Sequence, residues 1–236
     1  MRRPVFLLLL ILLQITLPVK LSGQKPDYRL FDNISLGTEA SVINCFLQDT
    51  QGLIWIGSNK GLFSYDGYST QPHFTFAKRN NTQIYCGTVV DSTYLYLGAD
   101  NGLLIYNYRT DTYEEPETQL PTDIRALLVH DGMLWLGTLN GLYTYSLNDH
   151  QLSAVTEGIP HPTIYSLICS SDGILYIGTY NGFCRYIPAT RHFEEINLPR
   201  SGNRSNQFIN SLLEDTARGC IWIGTEGCLF RYTPAD

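Results

Sequence analysis

LQDTQGLIWIGSNKGLFSYDG, residues 47–67, is a phrase whose pattern recurs four more times along the chain. Each copy has an apolar strand, a turn with Asp or Gly, an aromatic-apolar-Gly triplet, a second tight turn and an apolar strand that ends in Tyr. The triplet glycines lie 41, 39, 41 and 46 residues apart, at Gly57, Gly98, Gly137, Gly178 and Gly224. Repeats of this length are typical of β-propeller blades. The sequence therefore predicts an array of five blades.

The second strand of every copy is apolar at consecutive positions, as in IWIG at 54–57. A sheet with one face in water would alternate apolar and polar side chains, so both faces of these strands must be covered. A propeller covers them because each blade lies between two neighbours. We predict an all-β fold, a β-propeller of about five four-stranded blades, with repeat cores at 41–67, 84–107, 124–146, 164–186 and 208–232.

More polar segments between the cores predict the fourth, outer strand of each blade. They lie at 73–76, 111–114, 151–155 and 192–196. The fifth core is followed by no such segment, and a strand at 28–31 could complete that blade and close the ring.

One aromatic side chain stands two residues before each repeat glycine. These residues are Trp55, Tyr96, Trp135, Tyr176 and Trp222. Large rings at this position would fill the wedge between neighbouring blades. Aromatic rings also stack on sugars, but their regular recurrence favours packing. The acidic residues recur at the turns with one carboxylate each, short of the six to eight oxygens that calcium needs, so we expect no metal and no cofactor.

The first 23 residues have the layout of a secretory signal peptide: two arginines, an apolar run from Val5 to Leu13, and small residues at Ser22 and Gly23. The alternative is a membrane anchor, but the run is about half the ~20 residues that span a bilayer. We predict a signal peptide at 1–23, a propeller at 24–236, export, and no membrane insertion after cleavage.

The net charge and the spacing of the cysteines exclude some classes of partner and site. The formal net charge is −6 and only 16% of residues are charged, which is unlike the basic surface of a nucleic-acid-binding protein. Six cysteines form no CxxC pair and no metal-type cluster with the histidines. We expect most of them to be free, buried thiols and expect no nucleic-acid partner.

The phrase at 47–67 resembles the two-component regulator propeller repeat, and the resemblance extends over nearly all of residues 28–232. It implies the periplasmic sensor region of a Bacteroidetes hybrid two-component system histidine kinase. Such sensors detect glycan breakdown products and control polysaccharide-utilisation genes. The resemblance therefore implies a non-catalytic, periplasmic propeller that recognises an oligosaccharide or other small periplasmic ligand. The chain is then either part of a longer sensor, packed against its remaining blades, or a small stand-alone propeller.

Four residues at or beside loop ends offer hydrogen bonds and stacking surfaces to a ligand: Tyr85, Arg125, Tyr165 and Tyr180. Two other functions compete with ligand sensing. One is a propeller that docks a partner protein. The other is a glycosidase or lyase, but DTQGLIW at 49–55 has one residue too many for the Asp-box of sialidases and lacks its Thr. No carboxylate pair stands out as catalytic.

Overall fold

The structure, a computed structural model, describes residues 34–36, 42–73, 82–114, 116, 119–199 and 204–234. The predicted signal peptide and the strand predicted at 28–31 lie outside these residues. All strands belong to the unit that spans Ser35–Asp236.

Nineteen strands in the described residues form five antiparallel sheets, which we number as blades 1 to 5 along the chain. Blade 1 comprises β1 (Ile43–Gln48), β2 (Ile54–Ser58), β3 (Gly61–Tyr65) and β4 (Thr70–Pro72); blade 2, β5 (Ile84–Val89), β6 (Tyr94–Ala99), β7 (Gly102–Asn107) and β8 (Thr112–Glu114); blade 3, β9 (Ile124–His130), β10 (Met133–Thr138), β11 (Gly141–Ser146) and β12 (Leu152–Val155); blade 4, β13 (Ile164–Cys169), β14 (Leu175–Thr179), β15 (Gly182–Ile187) and β16 (His192–Ile196); blade 5, β17 (Ile209–Asp215), β18 (Cys220–Thr225) and β19 (Leu229–Tyr232). A short 3-10 helix, Arg204–Gln207, precedes β17.

The prediction of an all-β propeller is confirmed. Three of the predicted outer strands coincide with β8, β12 and β16. In blade 1 the outer strand β4 covers Thr70–Pro72 and His73 follows it, whereas positions 74–76 of the strand predicted there lie outside the described residues. The Asp66 carboxylate accepts hydrogen bonds from the backbone N–H groups of Tyr68 and Ser69, at 2.8 and 2.7 Å. This Asx-type turn reverses the chain early, so that Thr70 pairs with Tyr65.

Each of the first four repeat glycines leaves a space, which we call its seat, that an isoleucine of the next blade fills. A Cβ atom placed on Gly57 would lie 2.8 Å from Ile84 Cγ2. The same distance is 2.7 Å for Gly98 and Ile124, and 2.7 Å for Gly137 and Ile164. It is 2.5 Å for Gly178 and Ile209. Any side chain at these positions would collide with the next blade, which explains why the repeat requires glycine there.

The aromatic column lies at the blade interfaces. Trp55, Trp135 and Tyr176 are buried, whereas Tyr96 and Trp222 are half-buried. The ring centroids of Trp135 in blade 3 and Tyr186 in blade 4 are 5.2 Å apart. These positions agree with a packing role.

The turn aspartates have structural partners. Trp55 Nε1 donates a hydrogen bond to Asp49 Oδ2 at 3.0 Å, and Trp222 Nε1 donates one to Asp215 Oδ2 at 3.2 Å. The other carboxylate oxygen of Asp49 accepts the backbone N–H of Gln51 at 2.8 Å and that of Leu53 at 3.1 Å. In blade 1, one carboxylate therefore closes the turn and orients the indole, and in blade 5 the Asp215 carboxylate binds the indole in the same way.

The six cysteines are free, and their different exposure to solvent predicts that one of them reacts rapidly with a thiol reagent. Burial raises the pKa of Cys45 to about 11 and that of Cys184 to about 12. Cys228 is exposed. We expect a thiol reagent at about pH 8 to modify one equivalent rapidly in the folded protein and the remaining thiols slowly, because the thiolate is the reactive form. Cys228→Ser should abolish the fast phase, and a fast phase that survives this change would contradict the assignment.

Candidate functional site

Every innermost strand contains a β-bulge at the same place. The extra residues are Asn44, Tyr85, Arg125, Tyr165 and Asn210. Because the innermost strands contact one another in the order β1, β5, β9, β13 and β17, these residues follow one another around the arc. Bulges are common beside functional sites because they redirect a side chain. Of the four residues predicted to bind a ligand, three are bulge residues: Tyr85, Arg125 and Tyr165.

The bulge has a simple sequence basis that the sequence analysis missed. In blade 2, Ile84 pairs with Ala99 and Cys86 pairs with Gly98, so both residues that flank Tyr85 lie in the ladder. Ile84 is buried in the Gly57 seat, and the Cys86 Sγ lies 2.5 Å from where a Cβ of Gly98 would be. The pattern of Ile, any residue and a small residue recurs in all five repeats. The central residue of that pattern is excluded from the ladder and is free to vary.

Tyr85 and Arg125 form one pair, between blades 2 and 3. The guanidinium carbon of Arg125 lies 3.5 Å from the centroid of the Tyr85 ring, a cation–π contact. Arg125 Nη2 is 3.7 Å from Asp123 Oδ1, and the buried Arg125 Nε has no hydrogen-bond partner. Burial raises the pKa of Tyr85, partly offset by the charge of Arg125, so its hydroxyl is neutral at physiological pH.

Tyr165 and Tyr180 belong to a second group, between blades 4 and 5. Phe208 joins them, because its ring centroid is 4.5 Å from that of Tyr165 and 5.2 Å from that of Tyr180. His161 extends the group, with its ring 5.3 Å from Tyr180. Its Nδ1 accepts the backbone N–H of Thr163 at 3.1 Å. Tyr180 is 52% exposed, so one large ring of this group is available to a ligand.

The two groups lie on one face of the propeller. The Tyr180 N–H donates to the Thr163 carbonyl at 2.9 Å, which holds the hairpin between β14 and β15 beside the start of β13. The same contact recurs from Asp100 to Gln83 in blade 2. We call this side, where the innermost strands begin, the hairpin face. Among the described residues, no hydrogen bond or ring contact joins the first group to the second. Phe208 and His161 were missed because no other repeat has an aromatic ring at either position.

One cluster elsewhere has the composition of a nucleophile with its base. Cys169 Sγ lies 3.4 Å from His130 Nδ1, and His130 Nε2 lies 3.3 Å from Asp131 Oδ2. Burial raises the pKa of the Cys169 thiol, and the carboxylates of Asp131, Asp172 and Glu214 raise it further. A catalytic cysteine needs a lowered pKa, so this environment opposes nucleophilic chemistry. Within the described ranges, no group of three or more His, Cys, Asp or Glu side chains is arranged to hold a metal ion.

Comparison with known proteins identifies the repeats. The family model described as the two component regulator propeller matches residues 38–60 and 158–181. The chain belongs to this propeller family. The extracellular domain of the hybrid two component system BT4673 of B. thetaiotaomicron, also described as a one component system, is 62% identical with a TM-score of 0.82. The match covers 86% of this chain and 28% of that one.

Two more distant structures share the fold. The extracellular domain of the hybrid two component system BT3049 of B. thetaiotaomicron is 21% identical with a TM-score of 0.67, and the match covers 81% of this two-component regulator propeller and 28% of that chain. Virginiamycin B lyase of Staphylococcus aureus is 14% identical with a TM-score of 0.66. The match covers 86% of this chain and 70% of that one. Among curated protein sequences, none matches.

The chain spans 28% of the BT4673 domain that it resembles. The BT4673 and BT3049 structures are extracellular domains of two-component systems. In the part of this propeller that the structure describes, no helix has the length and hydropathy of a membrane span.

Proposed function

We propose that this chain is a non-catalytic, ligand-binding part of a periplasmic sensor, and that it binds an oligosaccharide on the hairpin face. The relation to the BT4673 extracellular domain supports a sensing role outside the cytoplasm. The observation that carries the ligand class is the exposed ring of Tyr180, held by Phe208 beside Tyr165. The signal that follows binding would control glycan utilisation.

The physical argument rests on the chemistry of this aromatic group. A carbohydrate presents both apolar C–H faces and hydroxyls, so its site needs flat apolar surface with a few polar groups at the edge. Tyr180 and Phe208 supply the surface, and the phenol hydroxyls supply hydrogen bonds. Around the first group on the same face, the carboxylates of Asp100 and Asp123 outnumber the single positive charge of Arg125, so a neutral oligosaccharide that extends there fits better than an acidic one.

The lyase likeness does not favour an enzyme, because at 14% identity it shows the fold alone. The turn aspartates hold tryptophans and turn amides, and the Cys169 thiol has a raised pKa. These observations support a propeller that binds without turnover.

Tyr180→Ala tests the site. We expect this change to weaken binding of a neutral oligosaccharide at least tenfold, or about 1.4 kcal/mol, because it removes the exposed ring. Titration calorimetry against a panel of neutral and acidic oligosaccharides would measure it. The matched control is Tyr68→Ala, since Tyr68 is 96% exposed on blade 1 and has no part in the aromatic group. We expect the control to bind normally.

Three outcomes would contradict the proposal in different ways. Saturable binding that Tyr180→Ala leaves unchanged would show that the ligand binds elsewhere. If no oligosaccharide of the panel binds saturably to the folded wild-type protein, the ligand class itself is wrong. Measurable turnover of a bound glycan would contradict the non-catalytic role.

A further inference from the structure

His161 forms a side-chain turn of a kind that Asp and Asn form elsewhere in this chain. Its Nδ1 accepts the backbone N–H of Thr163, two residues later, at 3.1 Å. Carboxylate and amide oxygens accept the same type of hydrogen bond at other turns, for example those of Asp49, Asp66 and Asn107. Pro162 disfavours the helical conformation at His161, which suits this turn. The turn therefore needs only an acceptor at position 161, and an imidazole supplies more than that.

The turn fixes which nitrogen of His161 carries the proton. A backbone N–H donates only to the lone pair of an unprotonated nitrogen, so the proton of the neutral ring is on Nε2. Among the described residues, Nε2 has no hydrogen-bond partner, and it is not closed off from solvent. His161 therefore presents an N–H donor whose direction is set by the hydrogen bond on the other side of the ring.

This donor lies beside the aromatic group of the hairpin face. The His161 ring centroid is 5.3 Å from that of Tyr180, and the two ring planes are inclined by 46°. Phe208 contacts the Tyr180 ring as well, at 5.2 Å, and about half of Tyr180 remains exposed. A sugar that stacks on the exposed part of Tyr180 would bring the oxygens at its own edge within reach of the neighbouring N–H.

Thr163 connects the His161 turn to the hairpins on either side. Its carbonyl accepts the Tyr180 N–H at 2.9 Å, and its Oγ1 donates to the Leu139 carbonyl in the hairpin of blade 3 at 2.9 Å. Because its own N–H is bound to His161, every polar group of Thr163 is engaged. Backbone hydrogen bonds therefore hold the donor and the Tyr180 hairpin on one frame, as a specific binding site requires.

We propose that His161 is a specificity-determining residue of the oligosaccharide site, and that its Nε2–H donates a hydrogen bond to an oxygen at the edge of the sugar that stacks on Tyr180. A group that donates and does not accept selects a hydroxyl, ring or glycosidic oxygen. A neutral saccharide offers such oxygens around its whole edge. This inference rests on the proposed function, because it assigns the hydrogen bond that accompanies stacking on Tyr180.

His161→Asn separates the donor from the turn. The Asn side chain can accept the Thr163 N–H, as Asn107 does in its own turn, but it is too short to reach the position of Nε2. The probes are short neutral gluco-, manno-, galacto- and xylo-oligosaccharides. We expect His161→Asn to leave the thermal midpoint unchanged and to weaken binding of the tightest of these probes about five- to tenfold in titration calorimetry.

His161→Gln makes the opposite change. Its longer amide places an N–H donor near the position of Nε2 but leaves the Thr163 N–H without its acceptor. We expect a thermal midpoint lower by about 1–3 °C, together with tighter binding of the same oligosaccharide than His161→Asn shows. A purely structural role of His161 predicts the reverse order, because the loss of binding would then follow the loss of stability.

His192→Asn is the matched control. It is the same substitution in the same blade, on the exposed outer strand β16, where His192 pairs with Ile187 at the end away from the hairpin face. We expect this variant to bind the oligosaccharide like the wild type.

The tautomer is measured without any ligand. Nitrogen NMR of the imidazole rings at about pH 8, where histidines are ordinarily neutral, should show an unprotonated Nδ1 and a protonated Nε2 for His161. The signals are assigned by their absence from the spectrum of His161→Asn.

Three results would overturn the inference, and they differ in what they say of the proposed function. If the wild type binds an oligosaccharide and folded His161→Asn binds it equally well, His161 is not the donor, and the proposed function stands. A proton on Nδ1 would remove the basis of the assignment, whatever the protein binds. If no oligosaccharide binds the folded wild type, the proposed function fails and this assignment fails with it.

Discussion

Trp55→Ala is expected to lower the free energy of unfolding by about 4 kcal/mol, because it removes a large buried ring and leaves a cavity between two blades. The Trp55 ring centroid lies 5.4 Å from that of Tyr106 in blade 2 and 4.9 Å from that of His73 after blade 1. The change also removes the donor to Asp49 Oδ2, which leaves a buried carboxylate oxygen without that hydrogen bond. Urea unfolding followed by circular dichroism would measure the loss.

Two further variants separate the contributions to this loss. Trp222 has the same place in blade 5 and the same type of hydrogen bond to Asp215, but it is half-buried. Trp222→Ala should therefore cost about 1–2 kcal/mol. Trp55→Phe retains most of the ring and loses the N–H donor. An equal loss for Trp55→Ala and Trp222→Ala would show that packing between blades is not the source of the effect.

Gly98→Ala is expected to cost about 2–3 kcal/mol, although it adds a single methyl group. The new Cβ would lie 2.7 Å from Ile124 Cγ2 and 2.9 Å from the Ile124 carbonyl oxygen. A side chain could rotate away, but a backbone oxygen can move only if the innermost strand of blade 3 moves with it. The expected result is a lower urea midpoint with an unchanged dependence of the free energy on urea.

Gly224→Ala is the matched control, because it has the same place in blade 5. The atoms nearest to its added Cβ belong to Ser211, and the closest is the side-chain hydroxyl, which can rotate. We expect a loss of about 1 kcal/mol or less. If Gly224→Ala destabilises the protein as much as Gly98→Ala, then the glycine is required within its own blade and not as a seat for the next one.

The candidate site could be predicted only in part. Tyr85, Arg125, Tyr165 and Tyr180 were selected because they lie near loop ends, and the structure pairs Tyr85 with Arg125. The second pair depends on Phe208, which lies between the rings of Tyr165 and Tyr180. No other repeat has an aromatic residue at the position of Phe208, and only the structure shows that its ring lies beside those of the two tyrosines.

The outer strand of blade 1 shows a second limit. HFTF at 73–76 has the alternating pattern of a strand, whereas TQP at 70–72 does not. The shorter segment pairs because the turn capped by Asp66 places Thr70 opposite Tyr65. Local turn geometry therefore fixed where this edge strand begins, which the side-chain pattern alone did not show.

The sequence by itself determined the fold class, the number of blades and their order, because each of these depends on short-range signals that recur every 39 to 46 residues. Glycines, turn residues and consecutive apolar positions act within one repeat, so the sequence alone shows them. Only the tertiary structure decided which side chains meet across blades, such as Ile124 in the Gly98 seat and Arg125 on Tyr85. These contacts depend on the rotation between neighbouring sheets and on one extra residue in each innermost strand, which no pattern within a single repeat specifies.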